Sequence, residues 1–507
     1  MASNNWRIAK NTIYLYLRTF IVLVVSLYIS RMILKILGVE DLGIYNVVGG
    51  IVSLMVFLRS TLSRSTSRFI TYEQGVGSDR LRINQVFSAA LTIHLLMAGI
   101  VLVLGETVGL YIFYNLTDIP DTRRNAALVV YQCALVNFCV HILTSPYEAI
   151  VIAHEKMQVF AYFSLLSAFL KLGVVFLLEY VYADKLILYG LLVLACTLVV
   201  SVGYVIYIHQ KFPIYKESIH WDNKICREML SFSGWTLMGS ASNAAGMQGV
   251  SLLFNNFVGL VANAALGFAN QVNGAMSTFV SSFQTSFNPQ IIKLYSQGDS
   301  YSMHLLMRRA SKFSFALSWL LAWPLLMNMD FVLSVWLSDV PEYTVGFCRM
   351  ILVCSIIDSV TGVFNTSIMA TGKIKWYQIC ISVSFLLDFC CIFIMLACDI
   401  EPVLVFASRI VTRGIINAFV GFGFAKRQLL FNLRQYCQEV LLPIFITISV
   451  SLIAYIVTMR MPYGWNRLIV SSTLSVSILV LCAFWVIMNR TERKFILHVI
   501  EQKFHKS

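Results

Sequence analysis

The chain has 507 residues, of which 58% are apolar and only 12% charged, with a mean hydropathy of +0.76. So few polar groups cannot cover a soluble globule of this size, which excludes a soluble enzyme or binding module and requires a protein that crosses a membrane many times. The net charge of +13 does not call for nucleic acid, because it follows from where Lys and Arg fall between loops.

A helix needs about 20 apolar residues to cross about 30 Å of hydrocarbon, with its backbone groups satisfied within the segment. In chain order such windows predict spans near 11–37, 42–62, 83–105, 126–148, 157–181 and 186–208, then 229–255, 262–287, 311–333, 344–369, 375–397 and 401–425, and finally 437–459 and 466–488. The head MASNNWRIAK is not followed by a small-residue cleavage site, so the first span reads as retained and not as a signal peptide. With the N-terminus inside, and residues near span ends counted with the adjoining loop, 25 of the 38 Lys and Arg residues fall on the cytoplasmic side, 7 in or beside outer loops and the remaining 6 within spans. Short basic loops stay cytoplasmic, so both termini are expected there. The 12 cysteines lie mostly within or at the ends of spans without CxxC spacing and read as small apolar residues. His94 and His141 stand alone in their spans and read as packing groups. No metal or cofactor is expected.

The chain is written twice. DLGIYNVVGG at 41–50 is answered by ALGFANQVNG at 265–274, Tyr72-Glu73-Gln74-Gly75 by Tyr295-Ser296-Gln297-Gly298, and Ala153, Lys156, Ser167 and Lys171 by Ala370, Lys373, Ser384 and Asp388. Spans 1–6 therefore resemble spans 7–12, and an even number of spans gives two parallel lobes around a central cavity. The expected fold class is an all-α polytopic membrane protein with about 14 transmembrane helices. Its parts are an N-terminal six-helix lobe at 1–208, a cytoplasmic inter-lobe loop at 209–228 long enough to let the lobes rock, a C-terminal six-helix lobe at 229–425, and an appended two-helix hairpin with a tail at 426–507.

At about 100° per residue, the second span gathers Asn46, Gly49, Ser53, Ser60, Arg64 and Ser67 into one stripe. The eighth does the same with Asn270, Gly274, Ser277, Ser281, Gln284 and Asn288, and the seventh adds Thr236, Ser240, Asn243 and Ser251. Small and amide residues can serve close helix packing. Stripes several turns long, one reaching Arg64, fit a wet cavity between the lobes better. Ionised groups within hydrocarbon are costly, and the spans hold Arg18, Arg31, Arg59, Lys171, Arg409 and Arg413 against Asp358 and Asp388. Arg31 and Arg59 lie near span ends, where they can snorkel, and Arg409 and Arg413 share one face at i, i+4. Lys171 and Asp388 occupy equivalent places in the two lobes. Either they form a structural ion pair, or Asp388 takes up a coupling proton or sodium ion.

RMILKILGVEDLGIYNVVGG, FNPQIIKLYSQGD and MATGKIKWYQ, in that order, resemble the oligosaccharidyl-lipid and polysaccharide exporters, relatives of the multidrug extruders. The resemblance covers essentially the whole chain. It implies an inner-membrane flippase of a bacterium that moves undecaprenyl-pyrophosphate-linked oligosaccharide units to the outer leaflet for O-antigen, capsule or exopolysaccharide synthesis. The implied mechanism is alternating access, driven by a proton, sodium or the membrane potential, beside other polysaccharide-assembly proteins and membrane lipids. Arg18 and Arg64 would hold the pyrophosphate, and the Asn, Gln and Ser stripes would face the sugars. Many members end after twelve spans, so the hairpin is a departure. A cation-coupled multidrug antiporter of the same fold would favour acidic residues in its lobes. A membrane-embedded polymerase or ligase would need catalytic side chains on a large outer loop, and the longest here, ETVGLYIFYNLTDIPDTRRN, has no convincing acid-base pair.

Overall fold

The computed structural model describes residues 2–488 except 54, 116, 118, 182, 217–220 and 338, together with 492 and 493. The helices are α1 (Ala2–Ser53), α2 (Val56–Val76), α3 (Arg80–Asn115), α4 (Asp121–Ala153), α5 (Met157–Tyr180), α6 (Lys185–Lys211) and α7 (Asn223–Phe257). They continue with α8 (Leu260–Ser296), α9 (Ser300–Trp336), α10 (Thr344–Ala370), α11 (Lys375–Ala397), α12 (Pro402–Leu429), α13 (Leu433–Thr458) and α14 (Trp465–Ile487). No strand occurs among the described residues, as expected for backbone that must satisfy itself in lipid.

Eleven helices are long and apolar enough to cross a membrane, or twelve if the bent pair Glu40–Val52 and Phe57–Val76 counts as one span. The helices that fall short despite 35 and 37 residues are α7 and α8. The bent pair, α7 and α8 are the three that carry the polar stripes, so the same residues that suggest a wet face lower the hydropathy. The second span is not the single straight helix read from the sequence. Its two arms meet at 50°, so Asn46 and Gly49 lie on one arm and Ser60, Arg64 and Ser67 on the other, while the side chain of Ser53 lies outside the described residues. Before it, the chain leaves the first span through Gly38 at φ 76°, a value only glycine adopts freely.

Two compact units emerge, one spanning Ile8–Ser240 and the other running on from Ala241. In the N-terminal unit α4 packs against α2, α3 and α6, and α5 against α6; in the C-terminal unit α10 packs against α8, α9 and α12, and α11 against α12. Each helix of the first set is the sequence counterpart of one in the second, so the repeat is a repeat of packing. The division falls within α7 and not in the loop at 209–228, because the start of α7 belongs to the first unit through Phe232, whose ring lies 5.8 Å edge-on to Phe69. The loop is also less free than its length suggests. Buried Tyr215 packs on Phe87, and its hydroxyl lies 2.9 Å from His154 Nε2 and accepts from Gln74 Nε2 at 3.2 Å.

The hairpin of α13 and α14 docks on α9. Trp319 Nε1 donates to Ser451 Oγ at 2.9 Å, and Asn328 Nδ2 to Ser471 Oγ at 2.7 Å. Asn328 leaves helical geometry four residues after Pro324, and its amide also donates to the Pro324 carbonyl, as a proline-bent helix requires. At one end Arg308 pairs with Glu439 at 2.9 Å and Arg309 with Glu492 at 2.7 Å, while buried Lys312 donates to the Ile487 carbonyl at 2.9 Å.

Candidate functional site

The N-terminal unit gathers cations around one acid. On α2, Arg59 Nη2 lies 2.9 Å from both oxygens of Glu148, near the end of α4. Arg59 therefore does not simply snorkel, and Glu148, at the margin of its predicted span, is the acid that sequence reading left out. Arg18 of α1 lies within electrostatic reach of Glu148 and of Tyr204 on α6, and Tyr204 senses Arg59 as well. The Arg18 guanidinium sits over the Phe160 ring at 5.2 Å, with its Nε buried and unpartnered. Two turns before Glu148 on the same face of α4, His141 lies within reach of Arg59 and Lys171. Lys171 of α5 neighbours Arg59 and Cys196, and among the described residues no carboxylate pairs with it.

Arg64 does not join this group. Five residues beyond Arg59, it points about 140° around α2, where it is exposed and bonds its own helix, donating from Nε to the Ser60 carbonyl at 3.2 Å. Arg18 and Arg64, which the sequence reading expects to act together, thus have different surroundings: Arg18 lies near Glu148 and Tyr204, and Arg64 bonds its own helix. Asn46 and Ser60 are exposed, as is Arg31 near the end of the first span.

The C-terminal unit is arranged differently. Buried Asp388 of α11 accepts from Thr412 Oγ1 at 2.6 Å and lies 3.3 Å from Arg409 Nε, both on α12. The partner drawn from the sequence, Lys171, is therefore replaced by Arg409. One turn earlier on α11, Ser384 Oγ donates to Asn417 Oδ1 at 2.6 Å. Arg409 and Arg413 take separate partners because a π-turn at Ile410–Ile415 interrupts α12. Arg413 Nη2 donates to Asn243 of α7 at 2.6 Å, and its guanidinium lies 4.7 Å over the Phe385 ring. Asp358 of α10 is exposed yet within electrostatic reach of both arginines.

Part of the α8 stripe is used for packing. Gln284 Nε2 donates to the Ser359 carbonyl at 3.3 Å, Asn288 Oδ1 accepts from Thr366 at 3.0 Å, and Asn273 Oδ1 accepts from Ser355 at 2.6 Å, all on α10. Gly362 makes room for this, since a Cβ there would stand 2.8 Å from Gln284 Nε2. Gln284 and Asn288, expected on a sugar-facing stripe, are thus bonded to α10. Ser277 remains exposed and Asn270 half-buried. Among the described residues no group of His, Cys, Asp and Glu has the arrangement of a metal site.

No family model and no curated protein matches the sequence. Solved structures do match. MATE in its straight conformation superposes with a TM-score of 0.72 at 12% identity, over 83% of this chain and 95% of that one. The fold is that of the MATE transporters. An outward-facing multidrug resistance MATE family transporter of the MOP superfamily gives 0.70 at 11% identity, over 85% and 96% of the two chains. A MOP superfamily transporter from Pyrococcus furiosus, described as having a binding pocket of reversed polarity that suggests a different function, gives 0.71 at 12% identity, over 83% and 95%.

Proposed function

We propose that this chain is a membrane transporter that moves a lipid-linked oligosaccharide by alternating access, holding the pyrophosphate on the cations of its N-terminal unit. The observation that carries the reading is the surplus of charge there: Arg18, Arg59 and Lys171 near the acid Glu148. Burying like charges is costly, and a charge without a partner more so, so such a cluster is retained where an anion arrives to complete it. Glu148 fixes Arg59, which leaves Arg18 and Lys171 to meet the incoming anion. A pyrophosphate offers oxygens to both a planar guanidinium and an ammonium. Exposed Ser60, Asn46 and Arg64 are polar positions from which a sugar chain is met.

The P. furiosus transporter is described as having a pocket of reversed polarity, so a pocket of altered charge has a precedent in this fold. The rival reading, a cation-coupled drug antiporter, would place its ion on Asp358, an exposed acid of α10 near Arg409 and Arg413. Reconstituted protein in liposomes containing fluorescent undecaprenyl-pyrophosphate sugar separates the two. Lipid flipping that is lost in the variant Arg18→Ala with Lys171→Ala supports the proposal, and flipping at the wild-type rate in that well-folded variant refutes it.

A further inference from the structure

Apart from these charges, the C-terminal unit has an open groove of about 730 Å³ where the α10–α11 loop meets the end of α12. Three cations line it, Lys373, Lys375 and Arg427, together with Trp376 and Phe424, and no acid does. Its floor is built in advance. Gln428 Nε2 donates to the Lys373 carbonyl at 3.0 Å and Gln428 Oε1 accepts from Thr371 Oγ1 at 3.1 Å, clipping the loop to α12. Lys373 and Arg427 are exposed and have no ion pair among the described residues. The first turn of α11, beginning at Lys375, adds its own partial positive charge. Like charges held together in this way call for a shared anion.

What lies beside the groove says which anion. Trp376, Val383, Leu387 and Ile394 fall within about 20° of one line along α11, and they are 66%, 47%, 49% and 59% exposed. A tryptophan at the head of an outward apolar line marks the membrane interface, with acyl chains below it. We propose that the groove binds the phosphate of an anionic phospholipid, with Lys373 and Arg427 on the headgroup, Trp376 at the glycerol level and the chains along Val383, Leu387 and Ile394. The positive-inside count puts this loop on the cytoplasmic side, so the lipid belongs to the inner leaflet. The site shares no residue with the cation cluster of the N-terminal unit and stands whether or not that cluster binds pyrophosphate.

The test uses the full chain, delipidated in a nonionic detergent and titrated with phosphatidylglycerol or phosphatidylcholine, with bound lipid read by native mass spectrometry. Wild type should retain one phosphatidylglycerol in preference to phosphatidylcholine. Lys373→Gln with Arg427→Gln should weaken that binding roughly tenfold or more, because two charge-assisted contacts are lost. Lys373→Arg with Arg427→Lys should keep it. Both side chains are exposed, so melting without lipid should be unchanged; if the double variant melts early, the two single variants are read the same way. Unchanged phosphatidylglycerol binding in the variants overturns the site. Displacement of the lipid by inorganic pyrophosphate, with equal affinity for headgroup-only glycerophosphate, would assign the groove to a free phosphate and overturn the lipid.

Discussion

The two units share one helix-packing scheme and differ in how their interior charges are met. In the N-terminal unit Arg59 has Glu148, whereas Arg18 and Lys171 have no carboxylate within ion-pair distance among the described residues. In the C-terminal unit Arg409 has Asp388, Arg413 has Asn243, and Asp358 lies near both. Under the proposed function, this difference distinguishes groups that hold a lobe together from groups that meet the ligand. A cation with a buried partner contributes to the fold, and one without a partner costs stability until an anion arrives.

The largest expected effect follows from the unpaired side. The double substitution Arg18→Ala with Lys171→Ala should abolish binding of a pyrophosphate lipid while leaving the melting temperature equal or higher, since two uncompensated charges are removed. Each lost charge-assisted contact is worth about 1.5 to 3 kcal/mol, so each single variant should weaken binding roughly tenfold to a hundredfold. Lipid titration followed by thermal denaturation measures both. A fall in stability together with lost binding would break the contrast, because it would make these cations structural.

The paired side should behave in the opposite sense. Asp388→Asn removes the carboxylate from buried Arg409, and breaking a buried pair by deleting one partner costs about 3 to 5 kcal/mol. Asp388→Leu with Arg409→Met should recover most of that loss, because no buried charge is left alone. Expression level and melting temperature in detergent are the readouts. If the double variant refolds yet transport stays dead, Asp388 has a role in coupling beyond the pair.

How much of this was legible in the sequence depends on the range over which each contact acts. The positions of the helices follow from local apolar windows, and the structure carries them as α1 to α14. The partners were not legible, because they join residues far apart in the chain: Arg59 and Glu148 lie 89 residues apart, and Arg413 and Asn243 lie 170 apart. Glu148 sat at a span margin, where a carboxylate looks like a loop residue. Matching Lys171 to Asp388 by repeat position mistook equivalence for proximity. The bend between the two arms of the second span and the π-turn in α12 are departures from regular helix that have no clear signal in residue type alone.

Between these extremes stands Arg59. Its side chain is 32% exposed, so solvent screens the pair, and Glu148→Gln should cost only about 1 kcal/mol of stability. The same change removes the one acid among the cations, so pyrophosphate-lipid binding should tighten or stay level. Weaker binding in Glu148→Gln would mean that the carboxylate orients Arg59 for the ligand.

The smallest effects should come from the hydrogen bonds between α8 and α10, which decide whether the α8 stripe is a packing surface or a ligand surface. Ser355→Ala removes the donor to Asn273, a bond of 2.6 Å, and interhelical hydrogen bonds in membranes average about 0.6 kcal/mol. The variant should therefore melt slightly earlier and transport normally. Ser277→Ala, on the exposed part of the stripe, should leave melting unchanged, because its side chain is exposed. Any loss of transport in Ser277→Ala at full expression would then report contact with substrate. Equal small losses of stability in both variants, with transport intact, would make the whole stripe packing and confine ligand recognition to the cations of the N-terminal unit.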